Sequence, residues 1–147
     1  MMLPIVLDTN AIRAAMDSHS ERGVMVRQRI AEVGYALPSV VLYEVERGLQ
    51  KEERERRGSP QRRDATRRFL LEGQHLPLDY SVAAVAADLW ATGKLAKPAQ
   101  NISEIDLLVA ATALAYTRRL VTFDERLVTS LRLLEQGALL DDSIREP

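Results

Sequence analysis

Short apolar runs alternate along the chain with longer segments in which apolar residues recur at helical spacing. The runs are typical of buried strands and lie at 4–7, 35–38, 75–78 and 120–123. The periodic segments predict helices at 11–16, 20–33, 39–49, 60–71, 81–97, 104–115 and 125–134. A last short apolar run occupies 138–140. Strands alternating with helices predict an α/β fold, a three-layer α/β/α sandwich around a short parallel sheet.

Turn and cap residues mark where several of these elements should begin and end. Gly34 and Gly73 are expected to end helices, and Pro60 to occupy a first helical turn. Ser39 and Ser103 precede apolar helical patterns, which predicts that both are N-caps. These signals organise the chain as one domain over 1–147.

Composition narrows the possible class of protein and of site. A chain of 147 residues with 46% hydrophobic residues has room for one substantial core. It has no cysteine, which excludes disulfide scaffolds and thiolate metal sites and agrees with a cytoplasmic location. His19 and His75 are far apart and match no ligand motif, which disfavours zinc. No apolar stretch reaches the roughly 18 residues of a membrane span, so no membrane association is expected.

Charge is spread unevenly along a chain whose net charge is −1. The segment 47–68 carries nine basic and four acidic residues and contains a helix break at Gly58 and Pro60, which predicts a charged helical hairpin tip near 50–64. Two interpretations are open: an arm that contacts an RNA backbone, or a solvated helix pair joined by Glu–Arg contacts. The solvated helix pair is the simpler interpretation and is favoured.

Four acidic residues stand beside or inside apolar segments that should be buried: Asp8, Glu44, Asp106 and Asp124. Asp8 and Asp124 each follow a strand, so they should share the carboxyl edge of the sheet, where α/β proteins bind ligands. Two unit charges about 4 Å apart interact by about 4 kcal/mol at an effective dielectric near 20. Clustered carboxylates must therefore protonate, pair with bases or bind a metal. Hard oxygen ligands favour Mg²⁺ or Mn²⁺.

Each acid also has a purely structural interpretation. Asp8 and Asp124 could cap the helices that follow them. Asp106 ends a Ser-x-x-acid pattern that can close a helix start, and Glu44 could pair with Arg47 three residues on. Glycine-rich phosphate loops and the Gly-x-Ser-x-Gly elbow are missing from the sequence, which leaves nucleotide-binding and serine-hydrolase functions without support.

Four segments, taken together and in order, resemble the PIN-domain ribonucleases of the VapC toxin type. They lie at 6–10, 39–49, 106–114 and 120–124. The resemblance covers nearly the whole chain and implies a small α/β/α domain that cleaves RNA with Mg²⁺ or Mn²⁺. It further implies that the protein is a homodimer and is held inactive by a small cognate antitoxin protein.

The resemblance also implies roles for individual residues. Asp8 and Asp106 match the principal metal ligands, Glu44 the acid of the second motif, and Asp124 the acidic position after the fourth strand. Asn10 and Thr122 match supporting positions. Two residues depart from the family pattern: Phe123 stands at a position that is often polar, and Leu127 where an aromatic residue is common.

The hypothesis is that a metal-bound water attacks the RNA phosphodiester in line, with the four acids as catalytic residues and metal ligands. RNA would also need positive charge at the rim of such a pocket, for which Arg13, Arg118 and Arg119 are candidates. The alternative is a non-catalytic PIN-like module that binds RNA or a protein, and a structure-specific DNA nuclease would use the same metal chemistry.

Overall fold

A computed structural model describes residues 2–95, 102–133, 139–141 and 143. The strands are β1 Ile5–Leu7, β2 Tyr35–Pro38, β3 Gln74–Leu76 and β4 Leu120–Val121. The helices are α1 Thr9–Met16, α2 Glu21–Val33, α3 Ser39–Arg54, α4 Pro60–Glu72, α5 Tyr80–Ala91, α6 Glu104–Ala115 and α7 Glu125–Leu133. Over the described residues this is the α/β/α sandwich that the sequence predicts, which confirms the fold class.

The four strands form one parallel sheet in the order β3-β2-β1-β4. All three residues of β1 are at most 1% exposed, because this strand has a neighbour on each side and helices above and below. Its continuous apolar run is what a strand buried on both faces requires. The central position of β1 places its carboxyl end between those of β2 and β4.

Three sequence predictions about element ends need correction. Ser39 does not cap α3: the N-cap position is Pro38, and the Ser39 hydroxyl instead accepts a hydrogen bond from the Leu78 amide at 3.2 Å. The predicted helix at 81–97 begins at Tyr80 under an Asp79 cap and ends at Ala91. Predictions for 96–97, for 134 and for 138 lie outside the described residues.

The charged hairpin is more helical than the sequence suggests. Helix α3 runs to Arg54 and α4 starts at Pro60, so only 55–59 form the connection. Both Arg56 and Gly58 have positive φ there, which makes the reversal tight. The stacked rings of Tyr35 and Phe69, with centroids 4.3 Å apart, hold α4 against β2.

Helices α1 and α2 approach each other most closely at Gly23. A Cβ atom at that position would lie 2.3 Å from the carbonyl oxygen of Ala14 and 2.5 Å from that of Asp17. Because those are backbone atoms, they cannot move aside as a flexible side chain can. Glycine is therefore required for α2 to dock on the end of α1.

No helix among the described residues has the length and apolar character needed to cross a membrane.

Candidate metal centre

The four acidic side chains singled out in the sequence line one cavity of about 190 Å³. Asp8 and Asp124 follow β1 and β4, which are neighbours in the sheet, so their positions follow directly from the strand order. Glu44 comes from the second turn of α3, and Asp106 from the first turn of α6. The fold therefore brings together one acid after each of two strands and one from each of two helices.

Asp8 is the most deeply buried of the four, with 5% of its surface exposed. One carboxylate oxygen accepts a hydrogen bond from the Ala11 amide at 2.8 Å, as an N-cap does, and Thr122 also hydrogen-bonds this side chain. Burial, together with the nearby charges of Asp106 and Asp124, raises the pKa of Asp8 to about 6 against the lowering effect of those hydrogen bonds.

Asp106 is held by the residue that starts its own helix. The Ser103 hydroxyl accepts a hydrogen bond from the Asp106 amide at 3.1 Å and also hydrogen-bonds its carboxylate, so Ser103 is an N-cap as predicted. Burial raises the pKa of Asp106, and the charges of Asp124 and Glu44 add to the effect, whereas the positive charge of Arg126 opposes it.

Glu44 is oriented by Thr9, a residue that sequence reasoning missed. The Thr9 hydroxyl in the first turn of α1 donates a hydrogen bond to the Glu44 carboxylate in α3, and both side chains line the cavity. The one sequence signal for Thr9 was that a hydroxyl residue stands immediately after the acid that follows β1. That signal shows no partner, because 35 positions separate the two residues in the chain.

Asp124 combines its structural and its proposed role. Its Oδ1 accepts hydrogen bonds from the Arg126 amide at 3.0 Å and from the Leu127 amide at 3.4 Å, so it caps α7 while it lines the cavity. The neighbouring Phe123 ring lies under the Arg22 guanidinium, 4.8 Å from the ring centroid. The apolar residue at this position thus contacts a cation with the face of its ring.

One of the three predicted RNA-binding arginines lines the cavity, and the other two lie elsewhere. Arg13 lines the cavity, as does the supporting residue Asn10. Arg118 lies at the opposite, amino edge of the sheet, where its Nη1 donates to the Pro4 carbonyl oxygen at 3.1 Å and to the Gln74 side chain at 3.0 Å. Arg119 is also at that edge, since its carbonyl oxygen accepts from the Val6 amide at 2.8 Å. The structure does not bring Arg118 or Arg119 to the acids.

The charge of this cavity is not balanced by ion pairs. In the described ranges, none of the four acids forms a salt bridge with a basic side chain. No three acidic or histidine side chains there already form a compact ligand group, so the carboxylates line the cavity without meeting at one point. Hard oxygen donors that repel one another and form no ion pair in the described ranges are nevertheless the donor set that a divalent cation fits.

The chain matches the model of a known protein family over most of its length. The PIN domain model matches residues 5–129, which contain β1 to β4 and all four acids. The chain belongs to the PIN domain family. No curated protein matches the sequence.

Solved structures share the fold of this PIN domain at low sequence identity. VapBC2 from Rickettsia felis, bound to a promoter DNA fragment, matches with a TM-score of 0.62 and 18% identity, over 94% of this chain and 96% of that one. FitAcB from Neisseria gonorrhoeae matches with a TM-score of 0.65 and 20% identity, over 87% and 93%. VapBC-5 from Mycobacterium tuberculosis, of the VapBC family of toxin-antitoxin systems, matches with a TM-score of 0.56 and 19% identity, over 94% and 95%.

The burial of Asp8 predicts a pH-dependent stability difference. Its folded pKa of about 6 exceeds the ordinary value of 3.8, so ionisation destabilises the folded state, and the penalty grows as pH rises from about 4 to 6 and is complete above that. In EDTA, Asp8→Asn should raise the free energy of unfolding at pH 7.5 by about 2 kcal/mol, because Asn keeps the cap without the charge.

Urea unfolding at pH 7.5 and pH 4.5 would measure the effect. The gain should shrink at pH 4.5, where much of the wild-type penalty has gone. Asp64→Asn, at an exposed position on α4, is the matched control and should change stability little at either pH. A gain from Asp8→Asn that is equal at both pH values would contradict the electrostatic explanation.

Proposed function

We propose that this PIN domain is a metal-dependent endoribonuclease and the toxin of a toxin–antitoxin pair. The observation that carries the proposal is the cavity at the carboxyl edge of the sheet, where Asp8, Glu44, Asp106 and Asp124 lie without ion pairs among the described residues. Such a cavity repels a phosphodiester unless a cation is present. Catalysis by metal-assisted hydrolysis follows from that requirement.

Asp8 and Asp106 are the proposed principal ligands, with Glu44 and Asp124 as the further carboxylates. Mg²⁺ or Mn²⁺ bound there would lower the pKa of a coordinated water and neutralise charge on the phosphate. The chain's own polar groups prepare the ligands. Thr122 and the Ala11 amide hold Asp8, Ser103 holds Asp106, and Thr9 holds Glu44. Such partners restrict the carboxylates to a few orientations before a metal binds.

The substrate is proposed to be RNA on the strength of the four ordered sequence segments. Within the cavity lining, Arg13 is the cation that can meet a substrate phosphate, and Asn10 adds an amide that can donate and accept hydrogen bonds. A panel of single-stranded RNA, single-stranded DNA and branched DNA separates this proposal from a structure-specific DNA nuclease. Preferential cutting of DNA would reject RNA as the substrate.

A small cognate antitoxin is the proposed protein partner, with a homodimer as the proposed assembly and the cytoplasm as the location. The support is the fold shared with the VapBC and FitAcB structures. Expression of the chain alone should arrest growth, and co-expression with the product of an adjacent small gene should restore it. Growth arrest that Asp8→Asn leaves intact would separate toxicity from the proposed chemistry.

Metal binding itself has a direct thermal prediction. A cation present at 100 times its Kd stabilises the folded protein by about 2.7 kcal/mol. For a chain of this size that corresponds to an increase in Tm of roughly 5–10 °C. Mn²⁺ should therefore raise the Tm of the wild type relative to EDTA, and Asp8→Asn should lose most of the shift.

The same melting experiment distinguishes the non-catalytic alternative. A PIN-like module that binds RNA or protein without metal would melt at one temperature in Mn²⁺ and in EDTA. Asp64→Asn should retain the full wild-type shift, because its side chain is on the exposed surface of α4 and is not among the residues that line the cavity. A Tm shift that Asp8→Asn and Asp106→Asn both retain would place the metal elsewhere.

A further inference from the structure

The two sides of α3 carry different electrostatic environments. On the side that faces α4, Glu46 accepts from Arg67 with a 3.0 Å ion pair, and Glu53 also pairs with Arg67. These contacts lower the pKa of Glu46. We call the other side the outer face of α3, and its residues are Tyr43, Arg47, Gln50, Lys51 and Arg54. Their spacing of three and four positions puts them on one helical face.

The outer face is positively charged in a chain whose net charge is −1. Arg47, Lys51 and Arg54 are all exposed, and none of them has an ion pair within the described part of the chain. Three acids of α3 and of the connection pair with other arginines, Glu46 and Glu53 with Arg67 and Glu55 with Arg57. The Glu–Arg contacts of the second interpretation are present on the side that faces α4, whereas the outer face carries exposed cations.

An aromatic ring stands among these cations. Tyr43 is 60% exposed, and the Arg47 guanidinium lies over its ring at 5.2 Å from the centroid. Tyr43, Arg47, Gln50 and Arg54 line a shallow surface depression together with Glu46. Exposed aromatic rings beside Arg and Lys are the surfaces on which single-stranded nucleic acids stack their bases and bind their phosphates.

The outer face begins beside the acid cavity. Tyr43 immediately precedes Glu44, which lines that cavity. With a rise of about 1.5 Å per residue, Arg47 lies about 4.5 Å further along the helix axis than Glu44, and Arg54 about 15 Å further. A strand leaving the cavity along α3 would therefore meet the ring first and the cations in succession.

We propose that the outer face of α3 binds the single-stranded RNA segment that flanks the scissile phosphodiester. A base stacks on Tyr43, and Arg47, Lys51 and Arg54 contact successive phosphates. The face fits RNA better than a protein partner, because over the residues that the structure describes it presents three cations without an ion pair and a single large exposed apolar side chain. This inference rests on the proposed nuclease function and specifies where that nuclease holds its substrate outside the cavity.

Binding of a short unstructured RNA oligonucleotide in EDTA, over a range of salt concentrations, tests the proposal. Each lost phosphate contact lowers the slope of log K against log salt by about 0.7, so Arg47→Gln/Arg54→Gln should lower it by about 1.4. Tyr43→Ala should weaken binding about tenfold at fixed salt, whereas Tyr43→Phe keeps the ring and should bind as the wild type does.

The matched control is Arg68→Gln/Lys94→Gln, which removes the same charge from exposed positions on α4 and after α5. A slope that stays at the wild-type value in Arg47→Gln/Arg54→Gln, or that falls equally in the control, would overturn the proposal. So would a change in the mass of the protein in solution caused by Tyr43→Ala, since the face would then be an interface between copies. Cleavage of the same RNA in Mg²⁺ is measured separately. Failure of the wild type to cut this RNA would overturn the proposed nuclease function, whereas the binding experiment does not measure cleavage.

Discussion

Asp8→Asn and Asp106→Asn are each expected to reduce metal-dependent RNA cleavage by at least about 100-fold. Loss of a group that merely supports a metal ligand costs roughly 10- to 100-fold, so loss of a principal ligand should cost more. Thr9→Val, which removes the hydroxyl that orients Glu44, should reduce the cleavage rate by roughly 10- to 100-fold. Initial rates of cleavage of a labelled RNA in Mg²⁺ and in Mn²⁺ would measure all three.

Two further results make that experiment decisive. Asp64→Asn changes the same charge on the exposed surface of α4 and should cleave at the wild-type rate. The circular dichroism spectra of the Asn variants should match the wild type, since Asn can cap α1 as Asp does. Wild-type rates in both Asp8→Asn and Asp106→Asn would show that these carboxylates do not take part in the reaction.

Gly23→Ala is expected to destabilise the folded protein strongly. The new methyl group would meet the carbonyl oxygens of Ala14 and Asp17 at 2.3 and 2.5 Å, so α2 must move away from α1. Overpacking of this kind costs about 1–3 kcal/mol and occasionally more, and a clash with two backbone atoms belongs at the upper end. That cost is a large part of a total stability of about 5–15 kcal/mol.

Gly48→Ala is the matched control because the same change in α3 has the opposite expected sign. Apart from its chain neighbours and the backbone of its own helix, no atom of the described residues lies within 4 Å of a Cβ built at Gly48, and alanine favours a helix interior by about 1 kcal/mol over glycine. Thermal unfolding should show a lower Tm for Gly23→Ala and a slightly higher Tm for Gly48→Ala. Equal Tm values for the two variants would mean that α1 and α2 are not packed as described.

The sequence predicts the parts of the fold that depend on local pattern. The period of the apolar residues indicates buried strands and amphipathic helices. The carboxyl ends of parallel strands lie at one edge of a sheet, so the sequence alone could place Asp8 and Asp124 near each other. The sequence alone could not place Glu44 and Asp106 at that edge, because their positions depend on how α3 and α6 cross the sheet. For the same reason the link between Thr9 and Glu44 is invisible in the sequence.

Residues whose partners lie far away in the chain were the ones that the sequence misplaced. Ser39 looks like an N-cap, yet its hydroxyl accepts from the Leu78 amide because the chain after β3 passes beside it. Arg118 looks like a free surface cation, yet the amino ends of the strands offer it the Pro4 carbonyl oxygen. In both cases a long-range partner outweighs the local preference.

Three of the four acids also have a role in the fold, and this affects how related sequences should be interpreted. Asp8 and Asp124 satisfy backbone amides at helix starts, and Asp106 lies in a first turn where negative charge is favourable. Folding alone would therefore keep Asp or Asn at such positions after activity had been lost. Glu44, in the second turn of α3, caps nothing and gains nothing for its helix. In a divergent relative, an acid at that position is thus the more telling sign of a working enzyme.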